Sequence, residues 1–446
     1  MSFLEDINII NSTKSRFKGY NILALSQVFI FEVRNNTNNK SFLQYLKSFS
    51  VDNILKLVIS FSFKRERKNR DSSILFINDV YNFSMISNSR ILQKKFNRED
   101  INEIVCDKRI LNPYSTLLFS YSQLFRTVID ILKMIIRSEY ISVELKNFSD
   151  HFKISKLKLW LNVCDSIFII NCIESFFLKN KNIVSVVLNS DVHKISRSFV
   201  FYCKKHNIHT YVLQHGAPVG HFGYLPVYAD NMFNWGSYSY NWFVKNKTSK
   251  QKLIITGTPK TDNIYPCELK DVDLKCRRVS LLLVLNPIGE SLCRLFLKTI
   301  YDAIKTSTSN YKVVIKLHPS SNSYKNLPSE ILEGISYQIF HLHDLHSLIK
   351  ESDIVISTPS TAGSEVIALH KPLLTMIFSE IKYKLAYELY DCDIKFYDVN
   401  SLLECLENKE KLTSRMSSYN KFINDYFYKL DGSASDRIKS YITDEK

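Results

Sequence analysis

The sequence predicts an α/β protein with two successive doubly wound parallel units that face each other across a crevice. Three observations lead to this fold class. From about residue 183 onward, short apolar runs alternate with helical stretches, which is typical of a parallel sheet with helices on its faces. Polar motifs follow several of these runs directly, and a polar, turn-like segment at 263–277 divides the alternation into two series. Sheets of this kind bind ligands beyond the carboxyl ends of their strands.

The first 180 residues contain one glycine and one proline, and we interpret them as helices, for example at 116–137, with a strand-like piece at 73–77. The amino terminus lacks the basic and apolar regions of a signal peptide. The longest apolar stretch, 159–178, contains Asp165 and Glu174 and is interpreted as buried secondary structure. We therefore expect a cytoplasmic protein whose nine scattered cysteines are reduced and free.

The first series begins with a β-branched run at 183–188 that ends in polar residues suited to a helix N-cap. A helix is predicted to about residue 206, followed by a strand at 209–213. Two further strand candidates, 231–235 and 252–256, are each followed at once by a glycine.

The second series contains four predicted strands and two predicted helices. The strands are 279–285, 311–317, 336–341 and 353–356, and the helices are about 290–305 and 345–351. The predicted organisation is an N-terminal acceptor-side domain at 1–262, a linker at 263–277, a C-terminal nucleotide-binding domain at 278–415 and a helical tail at 416–446.

The formal charge of +15 favours an anionic partner. Nucleic acid, an anionic membrane surface and a phosphorylated or acidic substrate all fit a basic protein. Nucleic acid is the weakest of the three, because the chain carries no helix-turn-helix pattern, RNP-type motif or zinc knuckle.

The first chemical motif is Gln214-His215-Gly216, directly after the strand at 209–213. His215 is a candidate general base, because an imidazole with a near-neutral pKa takes a proton from a hydroxyl. A hydrogen-bonded structural histidine is the alternative. Gly216 allows close approach of a ligand or a turn with positive φ, and His221 is a weaker candidate in the same loop.

Three later motifs follow other predicted strands. Gly257-Thr258-Pro259-Lys260-Thr261-Asp262 offers backbone N–H groups or Lys260 to a phosphate, or is a plain connection. Lys316-Leu317-His318-Pro319-Ser320-Ser321 presents hydroxyls and an imidazole to phosphate oxygens. The stretch 357–365 crowds hydroxyls at a helix start, where Gly363 permits close approach and Glu365 accepts from ribose hydroxyls; a simple N-cap cluster is the alternative.

Taken in order, QHG, GTPKTD, KLHPSS and SDIVISTPSTAGSE resemble the motifs of the glycosyltransferase-B (GT-B) superfamily. The similar families are the CDP-glycerol glycerophosphotransferases and the bacterial sialyl-, polysialyl- and Kdo-transferases. The resemblance covers about 183–375 and implies two Rossmann-like domains facing across a cleft. By position it implies a catalytic role for His215 and donor-phosphate contacts for His318, Ser360 and Thr361.

The chain departs from the CDP-glycerol pattern in three motifs, one of which has Ser357-Thr-Pro-Ser-Thr where that family has a D-Y-S-S run. Gln214 stands where that family typically has Trp, and Lys260 stands in place of Arg. These changes weaken a polyol-phosphate assignment more than the fold assignment.

The resemblance implies a metal-independent glycosyltransferase of surface-polysaccharide synthesis, with no cofactor and with a nucleotide-activated donor, CMP- or CDP-linked, as its substrate. Two Asp-x-Asp triplets, at 271–273 and 391–393, are interpreted as chance occurrences. Expected partners are a glycan or lipid-linked glycan acceptor and an anionic membrane, with no nucleic acid. The predicted donor-side residues are Lys316, His318, Pro319, Ser320, Ser357, Ser360, Thr361, Gly363 and Glu365. The predicted acceptor-side residues are Gln214, Gly216, His221, Gly257, Thr258, Lys260 and Asp262.

Several alternatives stay open at this point. The same fold serves a CDP-glycerol-type phosphotransferase, a UDP-sugar transferase or a UDP-sugar 2-epimerase. A non-catalytic component of polysaccharide assembly is the alternative from another class, and it would keep the fold and at most a nucleotide pocket.

Overall fold

A computed structural model describes most of the chain after residue 120 and parts of the chain before it. The described residues are 3–12, 16–21, 23–26, 73–78, 83–105, 121–137, 139–218, 220–264, 278–286, 288–318, 334–341, 343–381 and 384–444. The predicted linker at 263–277 therefore lies almost wholly outside them, and the predicted domain boundaries stay predictions.

The first large sheet has six parallel strands. Its strands are β3 (Ile74–Asn78), β4 (Ile101–Val105), β5 (Ser185–Leu188), β6 (His209–Leu213), β7 (Asn231–Asn234) and β8 (Leu253–Ile255), in the order β4-β3-β5-β6-β7-β8. A short antiparallel pair, β1 (Arg16–Phe17) and β2 (Tyr20–Asn21), lies outside it. The described helices of this half are α1 (Phe3–Ser12), α2 (Phe83–Gln93), α3 (Tyr121–Arg137), α4 (Glu139–Phe152), α5 (Lys156–Lys179), α6 (Lys194–Lys205) and α7 (Ser237–Lys245).

The second sheet also has six parallel strands. They are β9 (Val279–Val284), β10 (Tyr311–Lys316), β11 (Tyr337–Phe340), β12 (Ile354–Ser357), β13 (Leu373–Met376) and β14 (Ile394–Phe396), in the order β11-β10-β9-β12-β13-β14. This is the 3-2-1-4-5-6 order of a dinucleotide-binding fold. The helices are α8 (Glu290–Thr306), α9 (Leu345–Glu351), α10 (Ala362–Ala368), α11 (Ala386–Leu389), α12 (Val399–Glu407), α13 (Lys409–Thr413), α14 (Tyr419–Phe427) and α15 (Ala434–Asp444).

The two doubly wound sheets confirm the predicted fold class. Every strand predicted after residue 183 is present, with ends that differ by at most two residues. The first half contributes more to its sheet than the pattern indicated. The strand-like piece at 73–77 is β3, which lies beside β5, and β4 extends the sheet beyond it.

The last helix of the chain packs against the first sheet. Ile438 and Ile442 of α15 lie in one buried cluster with Phe76 of β3 and Phe233 of β7. The chain thus returns from the second sheet to the first, and the carboxyl-terminal helix stabilises the first half.

Among the described residues, α5 is the one helix long and apolar enough to span a membrane, judged by length and composition. Of its most apolar window, 67% is buried inside the protein. Its two interrupting carboxylates are paired, Asp165 with Lys194 at 2.8 Å and Glu174 with Lys18 at 2.8 Å. These contacts fit the interpretation of 159–178 as buried secondary structure.

Candidate functional site

His215 lies just beyond the end of β6 and is half-buried. Its ring stacks on Tyr224, with centroids 4.6 Å apart and an interplanar angle of 10°. Burial and, to a smaller extent, nearby His193 together lower the pKa of His215 to about 4. The imidazole is therefore neutral at pH 7. Within the described part of the chain, neither ring nitrogen has a hydrogen-bond partner, so a lone pair is available to a ligand.

The neighbours of His215 hold the loop in place. Gln214 is buried, its Nε2 donates to the Gly216 carbonyl at 2.8 Å, and its Oε1 accepts from the Trp235 N–H at 2.9 Å. A Cβ on Gly216 would lie 2.9 Å from the Tyr224 hydroxyl. The approach that requires glycine at this position is therefore that of Tyr224, whose ring supports the histidine.

His221 lies on the surface of the same loop. Its Nε2 is 2.8 Å from Asn246 Oδ1, and its side chain is exposed. This contact anchors the loop to the residue that follows α7.

The motif after β8 makes most of its contacts with other parts of the protein. Gly257 has φ +84°, and a Cβ there would lie 3.2 Å from Ala434 Cβ. Thr258 Oγ1 donates to Asn88 Oδ1 at 3.1 Å. The Asp262 carboxylate accepts from the N–H groups of Ala434 at 2.9 Å and Ser435 at 3.1 Å, at the first turn of α15. Gly257 and Asp262 thus contact the carboxyl-terminal helix, and Thr258 contacts α2. These contacts fit the alternative in which this motif is a structural connection between elements.

Lys260 and Glu365, predicted on opposite walls of the crevice, are in direct contact. Lys260 Nζ lies 2.6 Å from Glu365 Oε1, and His346 Nε2 lies 2.8 Å from Glu365 Oε2. Burial of Glu365 would raise its pKa, but Lys260 and His346 outweigh burial and hold the pKa well below its usual range. An ionised carboxylate therefore joins the two halves.

The motif after β10 contains a buried lysine. Lys316 Nζ donates to the carbonyls of Leu317 and His341, both at 2.8 Å, and burial lowers its pKa. Burial also lowers the pKa of His318, with Lys316 and His341 acting in the same direction. His318 is therefore neutral at pH 7 and can donate one N–H, not the charge of an imidazolium. Pro319 and Ser320 lie outside the described residues.

The loops after β9 and β12 meet at the position where the strand order of the second sheet reverses. The Asn286 N–H donates to Thr358 Oγ1 at 3.1 Å, and Asn286 Nδ2 donates to the Pro359 carbonyl at 3.1 Å. Gly289, with φ +98°, precedes the 17-residue helix α8, and no atom would touch a Cβ at that position. Reversal points of this kind are the ligand sites of doubly wound sheets.

Of the four predicted residues between 357 and 363, Ser357, Ser360 and Gly363 are buried and Thr361 is exposed. Ser357 is fully buried and its hydroxyl donates to the Thr358 carbonyl at 2.6 Å. A Cβ on Gly363 would lie 2.6 Å from the Tyr387 ring, so packing requires this glycine. Ser360 Oγ accepts from the Ala362 N–H at 3.3 Å, and Thr361 is exposed.

Sequence reasoning missed several residues of these loops. Tyr224 and His193 surround His215, while Asn286 and Gly289 form the other wall of the reversal point. A strand followed by Asn-Pro-x-Gly before a long helix was a usable signal for the last two. Tyr224 had no comparable signal, because its contact with His215 depends on the path of the intervening loop.

No protein-family model matches this chain, and no curated protein matches it in sequence. Solved structures match it in shape. The wall teichoic acid polymerase TagF has a TM-score of 0.51 at 11% identity, covering 94% of this chain and 97% of that one. An S. aureus MnaA–UDP structure has a TM-score of 0.50 at 13% identity, covering 83% and 96%. A Listeria monocytogenes structure, assigned as a UDP-N-acetylglucosamine 2-epimerase, has a TM-score of 0.51 at 13% identity, covering 83% and 97%.

The fold is GT-B. The similarity to TagF covers 94% of this chain, and it confirms the two-domain architecture that the motifs implied. At these identities the similarity establishes the fold and leaves the reaction to the residues of the GT-B crevice.

A cavity of about 360 Å³ opens between α7 and the second half of the GT-B fold. Tyr238 and Trp242 line it from α7, and Tyr390 and Asp425 line it from the other half. The Asp425 carboxylate accepts from the Tyr390 hydroxyl at 2.9 Å and from Ser237 Oγ at 3.2 Å. Trp242 also lies edge-on to Tyr224, with ring centroids 6.2 Å apart. Because Tyr224 stacks on His215, the Tyr224 ring lies between the Trp242 wall of this cavity and His215.

Within the described ranges, no group of three or more His, Cys, Asp or Glu side chains is arranged to hold a metal ion. Of the Asp-x-Asp triplets, 271–273 lies outside those ranges. In the other, Asp391 is paired with Arg415 and Asp393 is buried, where burial raises its pKa. Metal independence stays a prediction.

Proposed function

We propose that this protein is a glycosyltransferase of surface-polysaccharide synthesis that works without a metal ion. In the proposed reaction, a sugar moves from a nucleotide donor to a hydroxyl of a glycan or lipid-linked glycan at a membrane. The donor that best fits the motifs is a CMP-activated acidic sugar. The observation that carries the proposal is His215 at the carboxyl edge of the first GT-B sheet, a neutral imidazole that has no hydrogen bond to any residue the structure describes.

The chemistry requires one proton acceptor and one site for the leaving phosphate. His215 would accept the proton of the acceptor hydroxyl as its oxygen bonds to the anomeric carbon and the bond from that carbon to the donor phosphate breaks. Because nearby anionic charge favours the imidazolium, the phosphate of a bound donor would raise the pKa of His215 toward neutrality. The base would thus become stronger when the donor is in place.

The leaving phosphate would bind at the reversal point of the second sheet. The open backbone at Gly289 leads into α8, whose first N–H groups carry partial positive charge. In the proposal, the Ser360 and Thr361 hydroxyls and the neutral His318 would supply further donors to the same phosphate. This arrangement would stabilise the negative charge of the departing nucleotide without a cation.

The test is a thermal-shift panel of CMP, CDP, UDP and GDP with their common sugar and polyol conjugates. A ligand at 100 times its Kd stabilises the protein by about 2.7 kcal/mol, which is readily measured. A shift that is largest with CMP and its sugar conjugates would support the proposal. A shift with UDP or CDP-glycerol instead would contradict the proposed donor, and no shift with any nucleotide would favour a non-catalytic assembly component.

A second candidate, a UDP-sugar 2-epimerase, is favoured by the fold similarity to the Listeria monocytogenes structure assigned as a UDP-N-acetylglucosamine 2-epimerase. An epimerase changes the donor sugar without any glycan acceptor. Incubating the protein with UDP-N-acetylglucosamine alone therefore separates the two candidates, because a transferase leaves the sugar unchanged when no acceptor is present.

A further inference from the structure

Helix α3 turns its apolar side away from the part of the protein that the structure describes. Five large apolar side chains of this helix are exposed, among them Phe125 at 72%, Leu132 at 53% and Ile135 at 55%. The other two are Val128 and Ile129. At 3.6 residues per turn, the five occupy one arc of about 120° on the helix. Contiguous exposed apolar surface of this kind marks an interaction site.

The polar side of α3 is held against the protein. The buried Asn171 of α5 donates to Thr127 Oγ1 at 3.2 Å and to Asp130 Oδ2 at 3.0 Å. Arg126 is paired with Glu174 of α5 at 2.9 Å. A rotation of α3 that buried the apolar arc would break these hydrogen bonds and this ion pair. The outward orientation is therefore specified by the side chains of both helices.

Basic residues border the apolar arc. Lys133 is exposed beside Leu132, and Arg126 lies on the same border. Because the pairs Arg126–Glu174 and Asp130–Asn171 run in opposite directions, α3 is antiparallel to α5. The exposed Lys156 and Leu157 at the start of α5 therefore lie toward the carboxyl end of α3.

We propose that α3 is a membrane-docking helix that lies in the surface of an anionic phospholipid bilayer. Its apolar arc would sit among the acyl chains, while Lys133 beside the arc would reach the phosphate groups. Charge complementarity selects this partner, because the chain carries a formal charge of +15 and the exposed Lys133 borders the arc. A second copy of α3 would bring equal positive borders together.

The experiment measures co-sedimentation of the full chain with phosphatidylglycerol-containing vesicles and with phosphatidylcholine vesicles. The unaltered chain should bind the anionic vesicles, and the double variant Phe125→Ser with Leu132→Ser should bind at least tenfold more weakly. A matched control, Leu295→Ser with Leu389→Ser, removes two exposed apolar side chains elsewhere, at 49% and 59% exposure, and should bind as the unaltered chain does.

Three results would overturn the proposal. They are no binding of the unaltered chain to anionic vesicles, equal binding by the Phe125/Leu132 variant, and a dimer in light scattering that this variant converts to a monomer. The last result would assign the arc to a second copy. The membrane contact belongs to the proposed function, but α3 contributes no residue to the loops at the strand ends. An unchanged nucleotide thermal shift in the variant therefore separates failure of docking from failure of the reaction.

Discussion

Two loops of the first sheet, which follow β6 and β8 and contain glycine and polar residues, make different contacts in the structure. After β6, the loop presents His215 with its ring nitrogens free of protein hydrogen bonds among the described residues. After β8, Gly257, Thr258 and Asp262 all contact α2 or the start of α15. Glycine and polar residues at a strand end thus indicate a close approach, which a ligand or another helix can equally make.

The largest expected effect is on catalysis. His215→Ala should lower sugar transfer by about 10²–10⁴-fold, the usual contribution of a positioned general base. Nucleotide binding should remain, because the proposed phosphate contacts lie on the second sheet. The measurements are initial transfer rates and nucleotide thermal shifts. His221→Ala is the matched control and should stay near the unaltered rate; transfer by His215→Ala within a few-fold of normal would contradict the catalytic assignment.

The next largest effect is on stability, and it should differ between two glycines that both have positive φ, Gly257 and Gly223. Gly257→Ala should lower the free energy of unfolding by about 2–3 kcal/mol, because it combines an unfavourable φ with crowding against Ala434. Gly223 has φ +88° but open space around it, so Gly223→Ala should cost only about 1 kcal/mol. Urea denaturation of both variants measures the difference, and equal losses would show that α15 does not crowd Gly257.

Asp262 provides a smaller test of the β8 loop. Asp262→Ala should lower the free energy of unfolding by about 1–2 kcal/mol, since it removes the acceptor for two N–H groups of α15. Asp262→Asn retains an oxygen acceptor and should lose less. If Asp262→Ala instead abolished transfer at unchanged stability in urea, Asp262 would act on substrate and the two loops would be alike.

The smallest expected effect is the pH dependence contributed by His215. Its pKa is about 4 in the folded protein against about 6.5 when unfolded, so the unfolded state binds more protons between these values. The free energy of unfolding therefore falls as the pH drops below 6.5. Between pH 7 and pH 5, the free energy of unfolding of the unaltered chain should fall by about 1 kcal/mol more than that of the His215→Gln variant. This value is smaller than the full effect of the pKa difference, because solvent screens part of the effect at a half-buried side chain. Parallel urea titrations at both pH values would show no such difference if His215 were already charged in the folded protein.

Much of the fold could be predicted because periodicity is a local property. Apolar runs such as 209–213 and 311–317 form buried parallel strands wherever helices cover both faces, and the polar residues after them necessarily lie at the carboxyl edge of the sheet. The same reasoning identified His215 and the 357–365 loop as candidates. It could not place β4, because Ile101–Val105 contains polar residues and shows no uniform apolar run.

The sequence by itself determined the strands, the edge at which the polar motifs gather and the positions where glycine is needed. The tertiary structure alone decided which partner each polar side chain meets. Lys260 and Glu365, Asp262 and Ala434, and Gly363 and Tyr387 are brought together by folding. Such contacts depend on how helices return across the two sheets, and no local pattern encodes them. For the same reason, the sequence marked 116–137 as an apolar helix, and only the packing of its polar side on α5 revealed which face is turned outward.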